Sequence, residues 1–180
     1  APGYRAIGAT EPVLPGVMIG RTERLAWGLT IVGTDQSDVY VAPLDDAGRV
    51  QIAGVWEAPR VVREVIAVKG APSDTATLRL TSRGPVFHID QTRRMAYLLR
   101  STAHLPGSAG YLSALRYPAL RDCREFLDAQ RYYLAPTENM ICGDVDGNIA
   151  WQASAASPRR PNWHGRLRVP ADARYGGRGL

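Results

Sequence analysis

The 180 residues are 45% hydrophobic and 22% charged, ordinary proportions for one globular domain or a large piece of a bigger one, able to bury roughly 70% of the unfolded chain's surface. No apolar run approaches the roughly 18 residues that a membrane-crossing helix needs. The net charge of +5 admits an anionic partner. However, the arginines are scattered, adjacent only at Arg93-Arg94 and Arg159-Arg160, and no aromatic residues interleave with them. Nucleic-acid binding therefore ranks last among the readings, and an arginine-heavy genome accounts for a composition in which Lys69 is the one lysine.

Ala1 to Val13 is rich in Gly, Pro and Ala and reads as an irregular approach. Pro15-Gly16 marks a turn into an apolar strand, Val17-Met18-Ile19, and the corner Arg21-Thr22-Glu23-Arg24 leads to a second one. There Leu25, Trp27, Leu29 and Ile31 alternate with smaller residues, so the two runs predict a hairpin. The acidic loop Gly33 to Asp38 follows, then a third strand, Val39-Tyr40-Val41. Pro43 to Arg49 reads as a turn-rich connection.

Val61 to Lys69, Thr75 to Thr81, Val86 to Ile89 and Met95 to Arg100 are successive short strand patterns. Gly70 to Asp74 and Asp90 to Thr92 break them, which predicts an antiparallel sheet compatible with a sandwich. Arg83-Gly84-Pro85 is expected to be a structural turn. From Tyr111 to Gln130 the period changes to three and four, and Pro118 divides two expected helices that pack on the sheet. Asp122 and Glu125 fall in the first turn of the second helix, where acidic side chains suit the dipole.

Asp146-Gly147 lies between Met140-Ile141 and Ile149-Ala150-Trp151 and predicts a second hairpin. The Asp144 to Asn148 string is not an EF-hand loop, because Gly147 is its fourth residue and Ala155 stands where the bidentate Glu belongs. Cys123 and Cys142 have no metal-site spacing and allow at most one disulfide. Their helix and strand patterns favour small buried hydrophobes. The chain opens at Ala1 without Met or signal peptide, as expected of a fragment or a processed chain.

Two stretches resemble the penicillin amidase (penicillin acylase) family of N-terminal-nucleophile hydrolases. The first carries Pro15-Gly16, Ile19-Gly20, Ala26-Trp27-Gly28, Thr30, Asp35 and Asp38, with Arg21-Thr22 where the family has His-Asn. The second carries Asn139 and Asp144 to Ile149. Weaker matches at Gly3-Tyr4, Arg83 to Val86, Pro158 to Arg160 and Gly165 to Pro170 extend the likeness over nearly the whole chain, in order. The resemblance implies an α+β fold, the αββα four-layer sandwich with antiparallel sheets. Residues 1–180 would be a β-rich part of the β-chain domain, lacking its N-terminal nucleophile and its C-terminal part.

The same resemblance implies a chemistry. In that family a precursor cleaves itself, and the freed N-terminal Ser attacks an amide carbonyl with its own α-amino group as base. That Ser falls before Ala1, so the chain alone is expected to be inactive. The oxyanion hole takes one donor from the backbone N–H at Ile31 and a second from an Asn expected beyond Leu180. Met18, Ile19, Leu29 and Glu138 match acyl-pocket positions, although plain core packing equally describes the first three. Asp35, the Ser37 carbonyl, Asp38 and Gly165 match ligands of a structural Ca²⁺, where the residues alone would read as turn or cap groups.

The implied activity is hydrolysis of linear amides of the acylated β-lactam, N-acyl-homoserine lactone or lipopeptide type. The implied partners are a small-molecule amide and the α chain of the same precursor, with neither nucleic acid nor membrane. The implied location is periplasmic or secreted. The alternative from another class is a non-catalytic remnant, or a calcium-stabilised scaffold without activity.

Overall fold

The computed structural model describes residues 5–12, 14–108 and 112–176. The Gly3-Tyr4 match, Val13 and Tyr111 lie outside the described residues. The first strands are β1 (Ile7–Ala9), β2 (Ile19–Arg21), β3 (Leu25–Ile31) and β4 (Ser37–Pro43). Next come β5 (Val50–Ile52), β6 (Val55–Glu57), β7 (Arg60–Ile66), β8 (Asp74–Thr81), β9 (Gly84–Asp90) and β10 (Met95–Ser101). Helix α1 (Cys123–Ala129) then precedes β11 (Glu138–Asp144), β12 (Ile149–Ser154) and β13 (Val169–Pro170). The chain divides into two compact units. One is Ala1–Gln36 with Leu105–Ser157, the other Ser37–His104 with Pro158–Leu180.

The first unit is an antiparallel sheet in the order β1-β2-β3-β11-β12. Both expected hairpins are present. The segment expected to be irregular contains β1, and β2 begins at Ile19 rather than Val17. Val17 is held instead by the Trp27 indole N–H, which donates to its carbonyl at 2.9 Å. Close approach explains a glycine here: a Cβ on Gly20 would lie 2.7 Å from the Ile7 carbonyl oxygen. At the second hairpin Gly147 adopts φ +88°, which a side chain would disfavour. Its N–H donates to the Asp144 carbonyl at 3.1 Å.

One face of this sheet carries the core. Leu25, Trp27, Met140 and Cys142 pack there with Met18, Tyr117, Cys123, Phe126 and Ala129. Complete burial of a side chain such as Leu25, Phe126 or Met140 contributes about 1.5–3 kcal/mol. The helical region differs from its periodicity. Before α1 the described residues form 3₁₀ turns, Leu112–Leu115 and Tyr117–Ala119, because Pro118 cannot continue a helix. Asp122 caps α1 by accepting the Glu125 N–H at 2.8 Å. The two cysteines are not separate small hydrophobes: Cys123 and Cys142 are joined as a disulfide, and both are buried. It ties α1 to β11, a connection strengthened where Asp144 Oδ2 accepts the Cys123 N–H at 3.1 Å.

The second unit is a six-stranded sheet in the order β13-β4-β10-β9-β8-β7, with β5 and β6 as a separate hairpin. Pairing is antiparallel except that β13 runs parallel to β4. The four strands from β7 to β10 follow the sequence patterns closely. The three-residue strands β5 and β6 were not foreseen, being too short for a period to register. Strand β4 starts at Ser37, so Asp38 is a strand residue rather than a loop one. Its alternation buries Asp38, Tyr40 and Ala42, and the last two join Val50, Ile52, Ala96, Leu98 and Ala171 in this unit's core.

Candidate functional site

The site in the first unit is the end of the β3–β11 ladder, where Ile31 pairs with Glu138, Thr30 with Asn139 and Leu29 with Met140. Just past β3, the Val32 N–H donates to the Thr137 carbonyl at 3.3 Å, and the Thr137 hydroxyl donates to the Val32 carbonyl at 2.6 Å. An antiparallel ladder alternates paired and outward-facing backbone groups. The Ile31 N–H therefore points away from β11, toward the side on which β2 pairs only with Ala26 and Trp27. A donor so oriented suits an oxyanion that develops beside the sheet edge.

Asn139 holds this peptide in place, a role that the sequence motif did not disclose. Its amide donates to the Ile31 carbonyl at 3.3 Å and to the Thr30 hydroxyl at 3.4 Å. In turn its Oδ1 accepts the Trp151 indole N–H at 3.1 Å. The Ile31 side chain is 82% exposed, unlike Leu25 and Trp27 on the same strand.

Glu138 shares the Ile31 side of the pleat and is only 4% exposed. Among the described residues its Oε2 has no hydrogen-bond partner. A buried polar group left so costs about 1–3 kcal/mol. Burial raises its pKa above the ordinary value of 4.5, and the nearby Glu11 carboxylate adds to the rise. Met18 is buried in the adjoining core, and Leu29 is packed against it. Ile19 is 49% exposed and, by strand alternation beside the Gly20–Trp27 pair, lies on the other face. The structure thus places Met18, Leu29 and Glu138 on one face and sets Ile19 apart.

The four residues matched to metal ligands fall in both units. Asp35 is in the first and exposed; Ser37, Asp38 and Gly165 are in the second. Arg160 Nε donates to Asp38 Oδ1 at 2.8 Å and Oδ2 at 3.1 Å, and the Trp163 indole donates to Oδ1 at 3.2 Å. This pairing was not foreseen, although the period-two burial of Asp38 with Tyr40 and Ala42 could have signalled it. A carboxylate offers about four lone-pair sites, so Oδ2 keeps acceptor capacity. Within the second unit, the Asp38 carboxylate and the carbonyl oxygens of Ser37 and Gly165 are of the donor type that Ca²⁺ takes.

The penicillin amidase family model matches residues 1–179. Penicillin G acylase of Escherichia coli is 28% identical over 181 residues, covering 99% of this chain and 21% of that protein. Acyl-homoserine lactone acylase QuiP of Pseudomonas aeruginosa is 28% identical over 194 residues, covering 97% of this chain and 22% of its own length. Penicillin acylase 2 proenzyme of a Pseudomonas species is 28% identical, with 93% and 22% covered. The chain spans about a fifth of the length of these relatives. Among solved structures, a thermostable penicillin G acylase from Alcaligenes faecalis superposes with a TM-score of 0.85 at 26% identity. That match covers 100% of this chain and 33% of the other. It agrees with the expected β-rich part of an N-terminal-nucleophile hydrolase sandwich.

Proposed function

Because the chain belongs to the penicillin amidase family, we propose that it is part of an amidohydrolase that cleaves linear amide bonds through an acyl-enzyme. The nucleophile is the N-terminal Ser of a β chain released by self-processing of a longer precursor, whose α chain remains its partner. A terminal amine with a pKa near 8 is partly unprotonated at neutral pH and serves as the base. This chain contributes the Ile31 N–H, which stabilises charge on the carbonyl oxygen, and Met18, Leu29 and Glu138 on the acyl side. The orientation of the Ile31 N–H away from β11 is the observation that carries the reading.

Acylated β-lactams, N-acyl-homoserine lactones and lipopeptides are the substrate classes. Ca²⁺ is a structural ion in this reading, and the ligands proposed for it within the second unit are Asp38 and the carbonyls of Ser37 and Gly165. Replacing Asp38 by Ala removes stoichiometric calcium from the full-length protein; calcium retained after that change contradicts the site. A periplasmic or secreted location is supported by the Cys123–Cys142 disulfide, which persists in oxidising compartments.

The test is hydrolysis of phenylacetyl and fatty-acyl p-nitroanilides by the full-length, processed protein. Release of p-nitroaniline from at least one acyl class is the expected result. No release across the panel, with processing verified by mass, overturns the reading.

A further inference from the structure

Buried polar side chains around Glu138 are satisfied by one another. Ser113 and Tyr117 hydroxyls lie 3.0 Å apart, and the Tyr117 hydroxyl donates to Gln130 Oε1 at 3.1 Å. The Ser154 hydroxyl donates to the same Oε1 at 3.3 Å, and the Gln130 amide donates to the Phe126 carbonyl at 3.1 Å. Ser154 is the direct β12 partner of Glu138, so this network runs up to Glu138 and stops there. Satisfaction of buried groups is the rule in native proteins, and an exception calls for an explanation. Glu138 faces Ile31 on its other side. A carboxyl would be the wrong residue for a purely hydrocarbon acyl group, because the ligand would leave the Oε2 unpaired.

We propose that Glu138 selects acyl groups carrying a hydrogen-bond donor, a hydroxyl or an amine. The proposal rests on the amidohydrolase reading above and adds to it the class of acyl group. Side chains directly opposite in an antiparallel pair have Cβ atoms about 4.5–5.5 Å apart. The Ile31 N–H and the Glu138 carboxyl thus belong to directly paired residues at the same level of the β3–β11 ladder. Oε2 accepts the donor's hydrogen, which ends the exception in the buried network. Glu138 then discriminates by what a plain acyl chain leaves unmade.

The experiment compares plain, 3-hydroxy and 3-amino acyl p-nitroanilides of equal chain length with the full-length, processed protein and with Glu138→Leu and Glu138→Gln. The expected wild-type result is a kcat/KM roughly tenfold or more higher for a donor-bearing acyl group than for the plain one. Glu138→Leu reverses the order by raising kcat/KM on the plain chain and lowering it on the substituted ones. Glu138→Gln distinguishes the donors, keeping a preference for hydroxyl and losing one for ammonium. Plain acyl amides hydrolysed at least as well as substituted ones, with a ratio that Glu138→Leu does not move, overturn this inference and leave the amidohydrolase reading intact. No hydrolysis of any substrate overturns both. Failure of both variants to process and fold also overturns it, because Glu138 would then serve the assembly of the precursor.

Discussion

Asp38 and Arg160 form a buried ion pair, their side chains 3% and 11% exposed, with the Trp163 indole as a further donor to the carboxylate. The pair joins β4 to the segment preceding β13, and so closes the second unit across a separation of 122 residues. Removing one member of such a pair leaves the other charge buried alone. Arg160→Met is therefore expected to cost about 3–5 kcal/mol, measured by urea denaturation. The double variant with Asp38→Asn recovers most of that loss. A single variant as stable as wild type contradicts the pairing.

The Cys123–Cys142 bridge closes a loop with a sequence separation of 19 residues. Loop-closure entropy for that length corresponds to about 3 kcal/mol. The unreduced protein is expected to take up no alkylating reagent at these positions, and two equivalents after reduction. Replacing both cysteines by Ala lowers the denaturation midpoint. Free thiols in the native, unreduced protein contradict the bridge.

The burial of Glu138 predicts a pH dependence of the stability. Its pKa in the folded chain is raised above the ordinary 4.5, first by burial and then by Glu11. From about 4.5 up through the folded value, the native state binds more proton than the unfolded state, so this contribution to stability falls as pH rises. Thermal scans of the full-length protein should show Glu138→Leu gaining on wild type across that window, by roughly 1–3 kcal/mol once the carboxyl has ionised. A constant difference between the two proteins at all pH values contradicts it.

The hairpins were legible because their signals are local: alternation in Leu25 to Ile31, and Asp146-Gly147 between two apolar runs. Strands β7 to β10 were readable for the same reason. The start of β2 was displaced by two residues because Val17 is engaged by Trp27, a contact that no period encodes. The bridge between Cys123 and Cys142 needed the docking of α1 on β11, and the Asp38–Arg160 pair needed chain closure over a long separation. At the site, motif and resemblance pointed to Ile31 and Glu138 separately. Their placement as direct partners, the direction of the Ile31 N–H and the isolation of the Glu138 carboxyl depend on ladder register, and only the structure supplies that.

The most direct test of the account is steady-state kinetics of the full-length, processed protein against its Ile31→Pro variant. Proline has no N–H to donate, and none is lost to the β3–β11 ladder because that group points away from β11. Circular dichroism should therefore show the same strand content in both proteins. The account predicts amide hydrolysis by the wild type and a fall of about 10²–10³ in kcat for the variant, with KM little changed. Equal kcat in the two proteins would contradict the assignment of Ile31 as the oxyanion donor.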